Sequence, residues 1–98
     1  MKINIMGHEY DLIEESPGMW SQGIGRSNAY TGKIKISEDI TEEAKLSTLL
    51  HEVIHVISDL CDLPTKDDER AISVLAVGLF DFLRRNPDVG ERLVGRHT

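Results

Sequence analysis

The strongest chemical signal in the chain is the run His51-Glu52-Val53-Ile54-His55. If this run is helical, the two histidines lie one turn apart on the same face, since an α-helix has about 3.6 residues per turn. Two imidazoles so placed can bind one zinc ion at about 2.0–2.1 Å. Glu52 is rotated away from both and can reach a water molecule without binding the ion. The pattern is typical of hydrolases in which a metal acidifies water and a carboxylate accepts the proton.

A third zinc ligand is predicted on the helix that follows. On a helical wheel, Glu69 falls within about 60° of the apolar stripe of that helix, so we expect it to be buried in the first turn. The stripe consists of Ile72, Ser73, Ala76, Phe80 and Leu83. A buried carboxylate is costly unless a cation, an arginine or a metal lies beside it. The sequence therefore predicts a His-His-Glu zinc site, with His51, His55 and Glu69 as ligands and an open fourth position.

Other side chains compete with Glu69 as the third ligand. Asp67 and Asp68 point away from the stripe and are typical of acids near a helix N-terminus. The extended metzincin pattern would require glycine and histidine where this chain has Ser58 and Cys61. Cys61 stays an alternative soft ligand, although its place near a helix end favours a small buried residue.

Three further residues have ligand chemistry without ligand spacing. Asp59 continues the row of His51 and His55, but two helical turns span about 11 Å, too far for one ion. His8 and His97 have no spaced partner, which is more typical of surface or turn histidines.

Two helices have to position these residues. The first is predicted over residues 41–61, with Thr41 as the N-cap and a stop before Pro64. Its apolar face comes from residues spaced by three and four, namely Leu46, Leu49, Leu50, Val53, Ile57 and Leu60. The second is predicted over residues 65–85, with Thr65 as the cap. The tail, residues 86–98, holds at most one short turn of helix.

The first 37 residues predict a small sheet. Apolar and polar residues alternate over residues 2–6 and over Lys33–Ser37, and residues 10–13 predict a return strand. Residues 19–27 predict an irregular loop, and a further strand can begin at Ala29. Because the connections are short, we expect three or four mostly antiparallel strands. Residues 1–98 are thus predicted to form a single α+β domain.

Composition narrows the function classes. The chain carries 11 basic and 17 acidic residues, a net charge of −6, which argues against binding to a nucleic-acid backbone. No apolar run approaches the roughly 18 residues of a membrane span, and no signal peptide is visible. With one cysteine, the chain cannot form an internal disulfide, which is typical of a reducing compartment. We therefore expect a cytoplasmic protein.

Residues 48–55 resemble the active-site helix of the zincin metallopeptidases, and residues 68–72 resemble the Glu-bearing helix of their gluzincin branch. The chain is similar to the very small gluzincin-like proteins of phages and bacteria over about residues 33–86. The resemblance implies a zinc peptidase in which His51, His55 and Glu69 bind zinc and Glu52 is the general base. It also implies that a peptide substrate lies along an edge strand near Ile34 and Ile36.

The resemblance does not identify a residue that stabilises the transition state. Tyr30, Tyr10 and His97 can each donate a hydrogen bond to a developing oxyanion, and Tyr30 is our first choice. Trp20 is expected to pack over the sheet. Two other functions compete with a peptidase: a non-catalytic zinc-binding protein, and a regulatory protein of a phage or mobile element that acts by binding alone.

Overall fold

The chain forms a four-stranded sheet followed by three helices, which confirms the predicted α+β class. A computed structural model describes residues 1–16, 24–28, 30–64 and 66–95. The strands are β1 (Lys2–Ile5), β2 (His8–Glu15), β3 (Gly25–Asn28) and β4 (Lys33–Ser37). The helices are α1 (Glu42–Leu60), α2 (Glu69–Arg85) and α3 (Pro87–Leu93). The predictions for Trp20, Ala29, Thr65 and His97 lie outside the described residues.

The sheet is mixed, with the strand order β1-β2-β4-β3. The expectation of a mostly antiparallel sheet without crossovers is corrected at one pair, because β2 and β4 run parallel. Residues 16–32 connect these two strands, and a connection of a dozen or more residues is long enough for a parallel pair. The connection includes β3, which lies at the outer edge and pairs antiparallel with β4.

The β3–β4 hairpin is closed by local hydrogen bonds. The side-chain oxygen Oδ1 of Asn28 accepts from the N–H groups of Tyr30 at 2.8 Å and Thr31 at 3.1 Å. Gly32 follows with φ of 73°, a left-handed conformation that glycine adopts without steric cost. These contacts hold β3 in register against β4. The prediction of an irregular loop over residues 19–27 was therefore wrong for residues 25–27, which belong to β3.

Helix α1 packs its apolar side on the sheet. Val56 is fully buried in one cluster with four residues of the strands, namely Ile5, Tyr10, Ile34 and Ile36. Four of the six residues predicted on the apolar face of α1 pack against this cluster, namely Leu49, Val53, Ile57 and Leu60. Leu46 is exposed, so the predicted apolar face was partly wrong. Each fully buried aliphatic side chain contributes about 1.5–3 kcal/mol, so this cluster fixes α1 on the sheet.

Side-chain caps set the starts of both long helices. The hydroxyl of Thr41 accepts from the N–H of Ala44 at 3.1 Å, as predicted for α1. Helix α2 begins at Glu69, not near residue 65, and Asp68 is its N-cap, accepting from the N–H of Ala71 at 3.1 Å. An aspartate is among the best N-caps because its carboxylate satisfies a backbone donor that the helix leaves unpaired.

The molecule is layered in the order sheet, α1, α2. Helix α1 packs on β1, β3 and β4, whereas α2 packs on α1 and on α3. The tail forms more structure than predicted, since α3 is a helix of seven residues that begins at Pro87. Within the described part of the chain, the helices fall short of the length and apolar character that a membrane crossing requires.

We predict that the side chain of Asp68 stabilises the protein in the absence of metal. Replacing Asp68 with alanine removes the acceptor for the N–H of Ala71, so the free energy of unfolding should fall by about 1 kcal/mol. Asp67→Ala is the matched control and should change it by less than half as much. Urea unfolding in the presence of a chelator measures both. Equal losses in the two variants would contradict the assignment of Asp68 as the cap.

Candidate metal centre

Helix α1 brings His51 and His55 together on the face that looks towards α2. Their ring centroids are 4.9 Å apart, as expected for residues one turn apart in a helix. Both side chains are half-buried. The sequence prediction that the two imidazoles share one side of the helix is therefore confirmed.

Glu69 reaches both histidines from the first turn of α2. Its Oε1 lies 2.6 Å from Nε2 of His51, and its Oε2 lies 2.8 Å from Nε2 of His55. One ligand atom from each of the three residues lies within 4.8 Å of the others. A single zinc ion at about 2.0–2.2 Å from each atom can therefore be reached by all three. Two imidazoles and one carboxylate are also a donor set that zinc accepts.

Glu69 is not buried, contrary to the expectation from the helical wheel. Its side chain is 65% exposed. The apolar stripe itself is confirmed at Ile72 and Ala76, which are buried against the rest of the molecule. Glu69 differs from them in being the first residue of α2, at the end of the helix. Its partners are the two histidines, so the wheel indicated the direction of the side chain and not its burial.

Glu52 occupies a different position from the three candidate ligands. It is only 6% exposed and does not belong to the group of ligand atoms that lie within 4.8 Å of one another. Its carboxylate lies against the backbone of β3, where a Cβ placed on Gly25 would be 3.0 Å from Oε2. Glu52 lines the same cleft as the two histidines.

A cleft of about 670 Å³ opens above these residues. One wall is formed by β3 and the other by α2, with α1 as the floor. The lining residues with polar side chains are Arg26, Ser27, Ser47, Thr48, His51, Glu52, His55, Asp59 and Glu69. This volume is typical of a small-molecule or peptide side-chain site.

The alternative ligands lie apart from the cluster. Cys61 is exposed, not buried as expected, and its Sγ lies 3.9 Å from Sδ of Met6. Asp59 lines the cleft but is not within ligand distance of the other three. Among the described residues, His8 and Asp67 likewise do not join the cluster.

The strand β4 is not an edge strand, which corrects the expectation that the strand with Ile34 and Ile36 lies at the edge of the sheet. It pairs with β2 on one side and with β3 on the other. The edge strand beside the cleft is β3. The N–H of Ser37 donates to the carbonyl of Ile24, and bonding alternates along an antiparallel pair. The backbone N–H and C=O groups of Gly25 and Ser27 therefore point away from β4, towards the open edge of the sheet.

The tyrosines do not fit the role considered for them. Tyr10 is buried in the core, and Tyr30 is 90% exposed in the β3–β4 turn. Neither lines the cleft. Among the described residues, the hydroxyl groups that line the cleft belong to Ser27, Ser47 and Thr48. These residues were not predicted as site residues from the sequence. A signal for them was present, because Thr48 stands one helical turn before Glu52 and shares its face.

The comparisons do not assign the chain to a family. Matching it against protein-family models, curated proteins and solved structures gave no match. The chemistry of the site therefore has to be argued from its own residues.

We predict that the chain binds about one zinc ion and that Glu69 is needed for it. His51→Ala, His55→Ala and Glu69→Ala should each lower zinc affinity at least about 10-fold, because a three-residue site loses one ligand. Asp67→Ala is the control and should retain zinc. Metal analysis and competition with a chromogenic chelator measure this. Full zinc binding by a variant that lacks both histidines would contradict the ligand set.

We predict that position 25 accepts only glycine. A Cβ there would lie 2.5 Å from Cγ2 of Thr48 and 3.0 Å from Glu52. Gly25→Ala should therefore lower the free energy of unfolding by about 1–3 kcal/mol, the usual cost of overpacking. Thr48→Ser removes the nearer methyl group, so adding it to Gly25→Ala should recover much of the loss. Thermal unfolding measures the two variants, and an unaltered Gly25→Ala protein would contradict the contact.

Proposed function

We propose that this chain is a zinc-dependent peptidase. The observation that carries the proposal is Glu52, a buried carboxylate that faces the same cleft as His51 and His55 but stands outside the ligand cluster. A zinc site that only stabilises a fold needs no such carboxylate. The resemblance of residues 48–55 and 68–72 to the small gluzincin-like proteins of phages and bacteria supports the same activity.

The three ligands and Glu52 have separate roles in this proposal. His51, His55 and Glu69 would hold the ion, and bound zinc supplies a Lewis acid that polarises a carbonyl and acidifies water. Glu52 accepts a proton from the attacking water, whose oxygen bonds to the carbonyl carbon of the substrate. The C–N bond then breaks, and Glu52 delivers the proton to the leaving amine. The products are a carboxylate and an amine.

The substrate is proposed to be a protein or peptide bound in an extended form along β3. The outward peptide groups of Gly25 and Ser27 can pair with its main chain, as an added strand does at a sheet edge. Gly25 has no side chain, so Thr48 and Glu52 pack directly against the backbone of this strand. The composition, with a single cysteine, favours a cytoplasmic site of action.

Two other functions are distinguished from the peptidase by experiment. A non-catalytic zinc-binding protein would bind the ion and cleave no peptide. A regulatory protein of a phage or mobile element that acts without a metal would bind no zinc at all.

We predict that Glu52→Gln separates zinc binding from catalysis. The substitution keeps the shape of the side chain and removes the base, so peptide hydrolysis should fall at least about 100-fold. Zinc affinity should stay within a few-fold of the parent, because Glu52 is not a ligand. A peptide library read by mass spectrometry, with the zinc-loaded chain, identifies a substrate and measures the rates.

Glu38→Gln is the matched control, because Glu38 is an exposed glutamate that does not line the cleft. It should leave both zinc binding and hydrolysis unchanged. Hydrolysis that continues at the parental rate in Glu52→Gln would overturn the proposed base. Zinc binding without cleavage of any library peptide would favour the non-catalytic alternative.

A further inference from the structure

The outer face of α2 is apolar and has no neighbour within the described part of the chain. Residues 71–80 include no charged residue, although α2 is the outermost layer. Five large apolar residues of this helix are exposed, namely Val74, Leu75, Val77, Leu79 and Phe82. A surface helix normally carries polar residues on its outer side, and a helix that is apolar all round is normally covered.

The spacing of this face is that of a helix pair. Ala71, Leu75, Gly78 and Phe82 follow one another at intervals of four, three and four residues, so alternate members are seven residues apart, as in a heptad. Leu75 is 58% exposed and Phe82 is 46% exposed, so the row is open to solvent. Helix α3 contacts α2 near Leu83, where a Cβ on Gly90 would lie 3.7 Å away, and it leaves Leu75 and Phe82 exposed.

No contact within the described part of the chain requires glycine at position 78. A Cβ built at this position would meet no atom within 4 Å, so the fold leaves room for any side chain. Glycine inside an exposed helix costs helix stability relative to alanine. A second helix packed against this row would use the missing side chain, since it allows a large residue to approach the backbone.

An antiparallel copy of α2 fits the row in one register. With a two-fold axis between residues 76 and 77, Leu75 of each copy faces Gly78 of the other, and Ala71 faces Phe82. Each large side chain then meets a small one, as knobs-into-holes packing requires. A parallel pair would instead place Phe82 against Phe82 and Gly78 against Gly78.

The charges at the helix ends favour the same orientation. Asp67 and Asp68 precede α2, and Arg84 and Arg85 lie in its last turn. Within the chain Arg84 also pairs with Glu43 at 3.2 Å and Arg85 with Asp81 at 2.9 Å, and all four side chains stay exposed. Antiparallel packing brings the acidic end of one copy to the basic end of the other, and it also opposes the two helix dipoles. Parallel packing would bring like charges together at both ends.

We propose that the outer face of α2 binds a second copy of this chain through an antiparallel α2–α2 pair. A single helix pair is smaller than the usual stable interface, so we expect a weak dimer. The proposal does not depend on the peptidase activity, because the residues of α2 that line the cleft, Glu69, Ala76 and Val77, are not members of this row.

Sedimentation equilibrium of the zinc-loaded full chain, over a low to high micromolar range, tests the proposal. The parent should pass from monomer to dimer with rising concentration. Leu75→Glu places a charge in the centre of the pair and should stay monomeric. Met6→Glu is the control, because Met6 is an exposed apolar residue in the β1–β2 turn, and it should dimerise like the parent.

The register is tested with two single variants and their mixture. Leu75→Lys and Gly78→Glu should each weaken self-association at least 10-fold, while far-ultraviolet circular dichroism and the melting temperature show that both fold. An equimolar mixture should form a heterodimer, because Lys at position 75 of one chain then faces Glu at position 78 of the other. A parent that stays monomeric throughout the concentration range overturns the proposal. A mixture that fails to associate overturns the antiparallel register.

Discussion

Helix α1 lies between two layers, and the rest of the structure depends on how its side chains divide between them. Val56 and its apolar neighbours pack on the strands, whereas His51 and His55 face α2. Glu52 points to a third direction, towards the backbone of β3, and is buried there. Burying a carboxylate is costly. The apolar contacts that the same helix makes with the strands offset that cost.

The metal-binding pattern was readable from the sequence because it is local. The two histidines are four residues apart in one helix, and helical geometry alone brings them together. The third residue, Glu69, was found from the period of its own helix, but its exposure was not, since exposure depends on where the end of α2 lies relative to α1. Periodicity gives the direction of a side chain, and tertiary packing decides its contact with solvent.

The sheet was predicted less well for the same reason. Residues 25–28 include glycine, serine and asparagine, which have weak strand preferences, and they form β3 only because β4 pairs with them. Without β3, the sequence placed β4 at the edge of the sheet, whereas it is an inner strand. The parallel pairing of β2 with β4 is likewise a contact between distant residues. Gly25 next to Glu52 shows how much of the site rests on this unrecognised strand.

The layer order also determines which helix unfolds locally most easily. Helix α2 is attached through α1 and carries only two fully buried residues, Ile72 and Ala76, whereas α1 is anchored to the central cluster. Regions with few buried contacts undergo local unfolding at lower free energy than the core. We therefore expect amide hydrogens of α2 to exchange with solvent sooner than those in the middle of α1. Each such opening would carry Glu69 away from the histidines, so the lifetime of the assembled three-residue cluster is set by the outermost helix and not by the global stability of the fold.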